Sequence, residues 1–126
     1  MLYLIVFLGA GIGGALRHGV NVGAARLFGY GFPFGTFLVN IVGSFVMGAF
    51  AGYFAFRPGI PQHLRVFLTT GLLGGFTTFS SFSLQTLNLL AAGEWGRAGL
   101  NIVLSVALCL LAVWLGHIAA ASLNQR

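Results

Sequence analysis

Charge is what this sequence has least of. It contains no Asp and no Lys, a single Glu at position 94, and six Arg, so that charged residues make up 6% of 126. A soluble domain carries about a quarter charged residues, and a water-facing surface cannot be covered from this composition. One cysteine, Cys109, excludes a disulfide framework or a thiolate metal site within one chain. The shortage of acids removes paired-carboxylate catalysis and metal sites built on Asp and Glu. It also removes proton coupling through an intramembrane carboxylate, since no acid precedes Glu94. His18, His63 and His117 are far apart, at or near the ends of hydrophobic segments, where interfacial histidines are ordinary. An enzyme is not expected. Nor is a nucleic-acid partner, because the Arg residues behind the +5 charge are scattered.

What is present is apolar: 58% of the residues are hydrophobic, which also excludes disorder. A membrane helix needs about 20 apolar residues, and four segments qualify: 2–28, 34–56, 62–92 and 97–123. Gly29-Tyr30-Gly31-Phe32-Pro33 and Arg57-Pro58-Gly59-Ile60-Pro61 punctuate the first two, and Gly93-Glu94-Trp95-Gly96 forms a short link with an interfacial Trp. The first segment has no basic n-region or Ala-x-Ala-like site, so it is expected to be a span and not a cleaved signal. The fold class expected is an all-α integral membrane protein with one four-helix domain in the lipid bilayer. Arg57, Arg65 and Arg126 fall on one side of it and Arg26 and Arg97, with Glu94, on the other. Three against two gives no clear orientation under the positive-inside rule. The simplest assembly for such a chain is an antiparallel, dual-topology homodimer; the alternative is that Arg57 and Arg65 hold one orientation. Four helices fill their own centre with side chains, which also argues against a pore within one chain. Small-residue pairs at Gly9/Gly13, Gly48/Gly52 and Gly71/Gly75 suit close helix approach.

Gly9-Ala10-Gly11-Ile12-Gly13-Gly14 fits the glycine pattern of dinucleotide-binding folds, but the acid needed about 20 residues on is missing. The glycines read better as a packing surface. Asn40 sits about 9 Å into the second helix at 1.5 Å per residue. A buried amide without partners costs several kcal/mol, so Asn40 faces either a neighbouring helix or a wet path. In the third segment, Gly74-Gly75-Phe76-Thr77-Thr78-Phe79-Ser80-Ser81-Phe82-Ser83 puts five hydroxyl residues into seven positions after a glycine pair. Hydroxyls compete for backbone hydrogen bonds, and an interrupted helix is predicted near mid-membrane, against a continuous packing helix. Freed carbonyls there are ligands for a hard cation. Phe79 and Phe82 share nearly one face, and ring edges can meet an anion, although Phe is also an ordinary lipid-facing residue. Asn101, Ser105 and Cys109 drift only about 80° along the fourth helix, making a mildly polar stripe. Arg17, about 22 Å along the first helix, either snorkels to the interface or lends positive charge to a vestibule.

These stretches resemble a known family, the small fluoride channels called CrcB or Fluc, over nearly the whole chain. Gly13-Gly14-Ala15-Leu16-Arg17 is similar to its first-helix pattern. Gly35-Thr36-Phe37-Leu38-Val39-Asn40 with Gly43-Ser44 is similar to its second, and residues 71–83 to its third. The resemblance implies a dual-topology antiparallel homodimer with two pores in the cell inner membrane, passing fluoride passively and excluding chloride. It implies a central structural Na⁺ on the carbonyls of Gly74 and Thr77. It implies that Asn40, Phe79 and Phe82 line the fluoride path, continued on the fourth helix by Ser105 and Cys109. One departure stands out: the family usually has Glu where this chain has Gln85. Fluoride is small and tightly hydrated, so its passage needs close, weak, uncharged donors, because a fixed cation would hold it too tightly. A four-helix drug or cation exporter would need a carboxylate in the first helix, which is absent. The clustered hydroxyls and phenylalanines of the third segment count against the other alternative, a non-transporting membrane assembly subunit.

Overall fold

A computed structural model describes residues 1–124; Arg126, counted in the charge balance, lies outside the described residues. Among these the chain is all helix and turn. Helix α1 (Leu2–Phe28) stops at Gly29, whose φ of 77° is left-handed and suits glycine. Helix α2 (Phe34–Phe54) starts behind Pro33. Helix α3 (Gln62–Val66) starts behind Pro61 and runs into a π-helical stretch, Phe67–Leu73, then into α4 (Gly74–Phe76). Helix α5 (Phe79–Ala91) follows a break, and α6 (Trp95–Asn124) closes the chain. Trp95 and Gly96, assigned to a link from sequence, are already helical. By length and composition α1, α2 and α6 can each cross a membrane.

The third segment is interrupted within the stretch that predicts it, beginning at Thr77 and not at the glycine pair. Gly74 is helical at φ −61° and ψ −37°. The break falls at Thr77 and Thr78, which are extended at φ −87°, ψ 158° and φ −155°, ψ 122°. Gly75 of the pair serves packing instead. A Cβ on Gly75 would strike the backbone of Ala10 in α1, and one on Gly13 would strike the Leu72 carbonyl. Helix α1 therefore lies directly on the π stretch and α4.

The most extensive contact in the fold joins α2 to α6. It has the same basis: Gly48 faces the Val113 carbonyl and Gly116 faces the Phe45 carbonyl, with no room for a methyl at either. Helix α5 leans on α6. At one end of the bundle Arg57 lies over the Tyr53 ring at 4.2 Å and donates to Asn124 Oδ1 at 3.2 Å. Asn124 in turn donates to the Gly52 carbonyl, tying the end of α6 to α2.

Candidate functional site

The break is built by Asn40. Its Nδ2 donates to the Thr78 carbonyl at 2.9 Å and its Oδ1 accepts from the Thr78 N–H at 2.8 Å. The side-chain amide pairs with extended Thr78 as a neighbouring strand would. Of the two readings open for Asn40, the interhelical hydrogen bond is present, and the residue also borders a cavity. Thr78 Oγ1 then accepts from the Ser81 N–H at 3.2 Å and restarts the helix as an N-cap.

Two consequences follow for the carbonyls. An α-helix pairs each N–H with the carbonyl four residues earlier. The Thr78 N–H, due to Gly74, goes to Asn40, and the Ser81 N–H, due to Thr77, goes to Thr78 Oγ1. The Gly74 and Thr77 carbonyls thus lose their helical donors. Gly75 does not stay free, because Arg17 Nε donates to its carbonyl at 3.1 Å. Arg17 is half-buried against the back of the break and lines neither of the cavities described next.

A cavity of about 450 Å³ opens between α2, the break, α5 and α6. The structure brings Asn40, Phe79, Phe82, Ser105 and Cys109 together on its wall, with Thr77 and Thr78; Gly74 lies outside it. The Phe79 and Phe82 rings are 5.4 Å apart and tilted by 45°. No charged side chain lines this cavity. Such a wall offers amide and hydroxyl groups and ring edges, which suit a small ion only at short range.

A second cavity, of about 580 Å³, lies between the α1–α2 turn, α5 and the start of α6. Arg97 and Glu94 stand on its rim, 3.8 Å apart and exposed, and Arg97 also donates to the Gly31 carbonyl at 3.1 Å. Gln85 and Thr36 line it, and their Oε1 and Oγ1 atoms are buried without a hydrogen-bond partner among the described residues. Buried polar groups are normally paired, so these two atoms stand ready to accept a hydrogen bond from whatever enters the cavity. Thr36 enters the sequence analysis only as part of the second-helix pattern, with no role assigned to it. Sequence reasoning missed the cap at Thr78, although a Thr directly ahead of a renewed apolar helix is an N-cap signal.

The family model described as CrcB-like protein, Camphor Resistance (CrcB), matches residues 4–117. The chain belongs to the CrcB-like family. A relative named fluoride-specific ion channel FluC from Opitutus terrae is 55% identical over 126 residues, covering 98% of this chain and 96% of the relative. A FluC from Methylobacterium nodulans is 59% identical over 104 residues, covering 82% and 83%. One from Paramagnetospirillum magneticum is 49% identical over 127 residues, covering 99% of each chain. These CrcB-like relatives are named as channels, and the chain is a multi-pass membrane protein of that kind and not an enzyme.

Proposed function

We propose that the chain is the subunit of a fluoride-selective channel that lets the anion leak out of the cell across the inner membrane. The observation that carries this reading is the uncharged cavity beside the break, where Asn40, two phenylalanines and Ser105 converge. The names of the relatives, at 49–59% identity, support the same ion. Two Asn40 groups are committed to Thr78, which leaves its second amide hydrogen for a ligand. Coupled export of a cation has no acid to work with before Glu94.

The active unit is an antiparallel homodimer of four-span subunits, in which α3 to α5 together make the third crossing. Broken backbone at membrane depth is tolerated only where protein or a water-filled cavity covers it. Here Gly74 and Ser80 are exposed, and Phe79 is 77% exposed. A second copy is the covering that supports the break. The carbonyls of Gly74 and Thr77 fit a Na⁺ ion, having lost their helical donors, whereas no group of three His, Cys, Asp or Glu side chains forms among the described residues. When bound, the ion supplies a positive charge that holds together carbonyl dipoles which otherwise repel. Arg17, bonded to Gly75, keeps that neighbouring carbonyl out of the set.

Fluoride tolerance tests this function in cells. Expression in a host deprived of its own fluoride exporter raises the fluoride concentration that permits growth. The Phe79→Ile protein, present in the membrane at equal level, does not. Equal protection by both moves the path away from this cavity.

A further inference from the structure

The polar stripe on α6 continues inward as a buried relay. Asn101 is 1% exposed, and Thr86 and Ser105 are each 7% exposed. Thr86 Oγ1 donates to the Phe82 carbonyl at 2.8 Å, Asn101 Nδ2 donates to Thr86 Oγ1 at 3.0 Å, and Ser105 Oγ donates to Asn101 Oδ1 at 3.2 Å. A hydroxyl has one proton. With that proton spent on Asn101, Ser105 turns only lone pairs to the cavity it borders, and lone pairs repel an anion.

A half-turn of the Asn101 amide exchanges its oxygen and nitrogen and leaves the heavy atoms in place. Nδ2 then donates to Ser105, the Thr86 proton turns to Oδ1, and the Ser105 proton is freed for the cavity. The first arrangement has three side-chain hydrogen bonds and the second has two, because Thr86 releases the Phe82 carbonyl. The resting preference is thus about one net hydrogen bond, roughly 0.5–1.5 kcal/mol.

We propose that Asn101 and Thr86 are positioning residues that hold the Ser105 proton in reserve and so keep anion binding at this wall weak. Weak binding at several sites is what conduction requires. The inference rests on the fluoride path proposed above and adds how one wall of it is tuned.

The test is fluoride efflux from liposomes containing the full chain, measured across a range of internal fluoride. Thr86→Val keeps the side-chain shape and removes the hydroxyl, leaving one hydrogen bond in either amide orientation. It therefore lowers the half-saturating fluoride concentration by about two- to sevenfold, because the one-bond preference is removed while half the population stays in each orientation. Thr86→Ser keeps the relay and stays at the wild-type value. A purely structural role gives the opposite order, because Val preserves packing and Ser does not. Should Thr86→Val fail to assemble, Asn101→Leu, which frees Ser105 outright, carries a shift in the same direction and about twice as large. An unchanged or raised half-saturating concentration in the hydroxyl-free variants overturns the relay. Absence of fluoride efflux in the wild type overturns the path itself.

Discussion

At the scale of single residues, Asn40 makes the firmest prediction, because its amide does two jobs. It holds the extended Thr78 at 2.8 and 2.9 Å and borders the uncharged cavity. Asn40→Asp keeps the acceptor but puts an oxygen against the Thr78 carbonyl, at a cost of about 1–3 kcal/mol for the lost pairing. Thermal unfolding of the purified protein is expected at a lower temperature, with fluoride flux strongly reduced. Unchanged stability would remove Asn40 from the break. Phe79→Ile and Phe82→Ile separate ring electrostatics from bulk: each keeps an apolar side chain and discards the quadrupole. Both are expected to fold and to lose most fluoride flux, and wild-type flux in folded protein moves the path elsewhere. Which residues gather at the cavity was legible because Asn40, Phe79, Phe82 and the α6 stripe are ordered polar and aromatic signals in an apolar background. Thr36 and the Arg17–Gly75 hydrogen bond were not legible. They depend on how α1 and α2 approach other helices, which periodicity within one segment does not encode.

At the scale of elements, glycine decides how close the helices come. Gly48 and Gly116 lie against carbonyls of the partner helix, whereas a methyl placed on Gly99, also in α6, would meet nothing within 4 Å. Gly48→Ala and Gly116→Ala are expected to destabilise by about 1–3 kcal/mol through overpacking. Gly99→Ala is expected to be neutral or slightly stabilising, since Ala is the better helix former. Equal melting temperatures for all three contradict the close α2–α6 packing. The spans themselves were readable from hydrophobic length and from Gly and Pro punctuation. The break was readable as an event but not to the residue: the hydroxyl run marked it, while the glycine pair suggested it should begin too early. Glycine weakens an isolated helix, yet here Gly75 packs on Ala10 of α1, and both glycines stay helical. The π-helical stretch before them had no signal in the sequence.

At the scale of the whole molecule, orientation in the membrane has a direct readout. Single cysteines placed in the turns around Gly31, Gly59 and Gly93, in a Cys109→Ser background, are expected to label from both sides of the membrane in comparable amounts. Labelling from one side alone contradicts dual topology. If the proposed dimer shares a Na⁺ ion, the ion stabilises the assembled state by linkage, and replacing Na⁺ with a large organic cation is expected to lower the melting temperature. Both outcomes concern assembly; transport is a separate matter. The measurement that addresses it most directly is electrode recording of fluoride and chloride efflux from liposomes reconstituted with the purified wild-type chain. Rapid, passive fluoride efflux is expected with no proton gradient required, and chloride efflux no faster than from protein-free liposomes. Fluoride retained at the protein-free rate, or chloride released as readily as fluoride, would contradict a fluoride-selective channel.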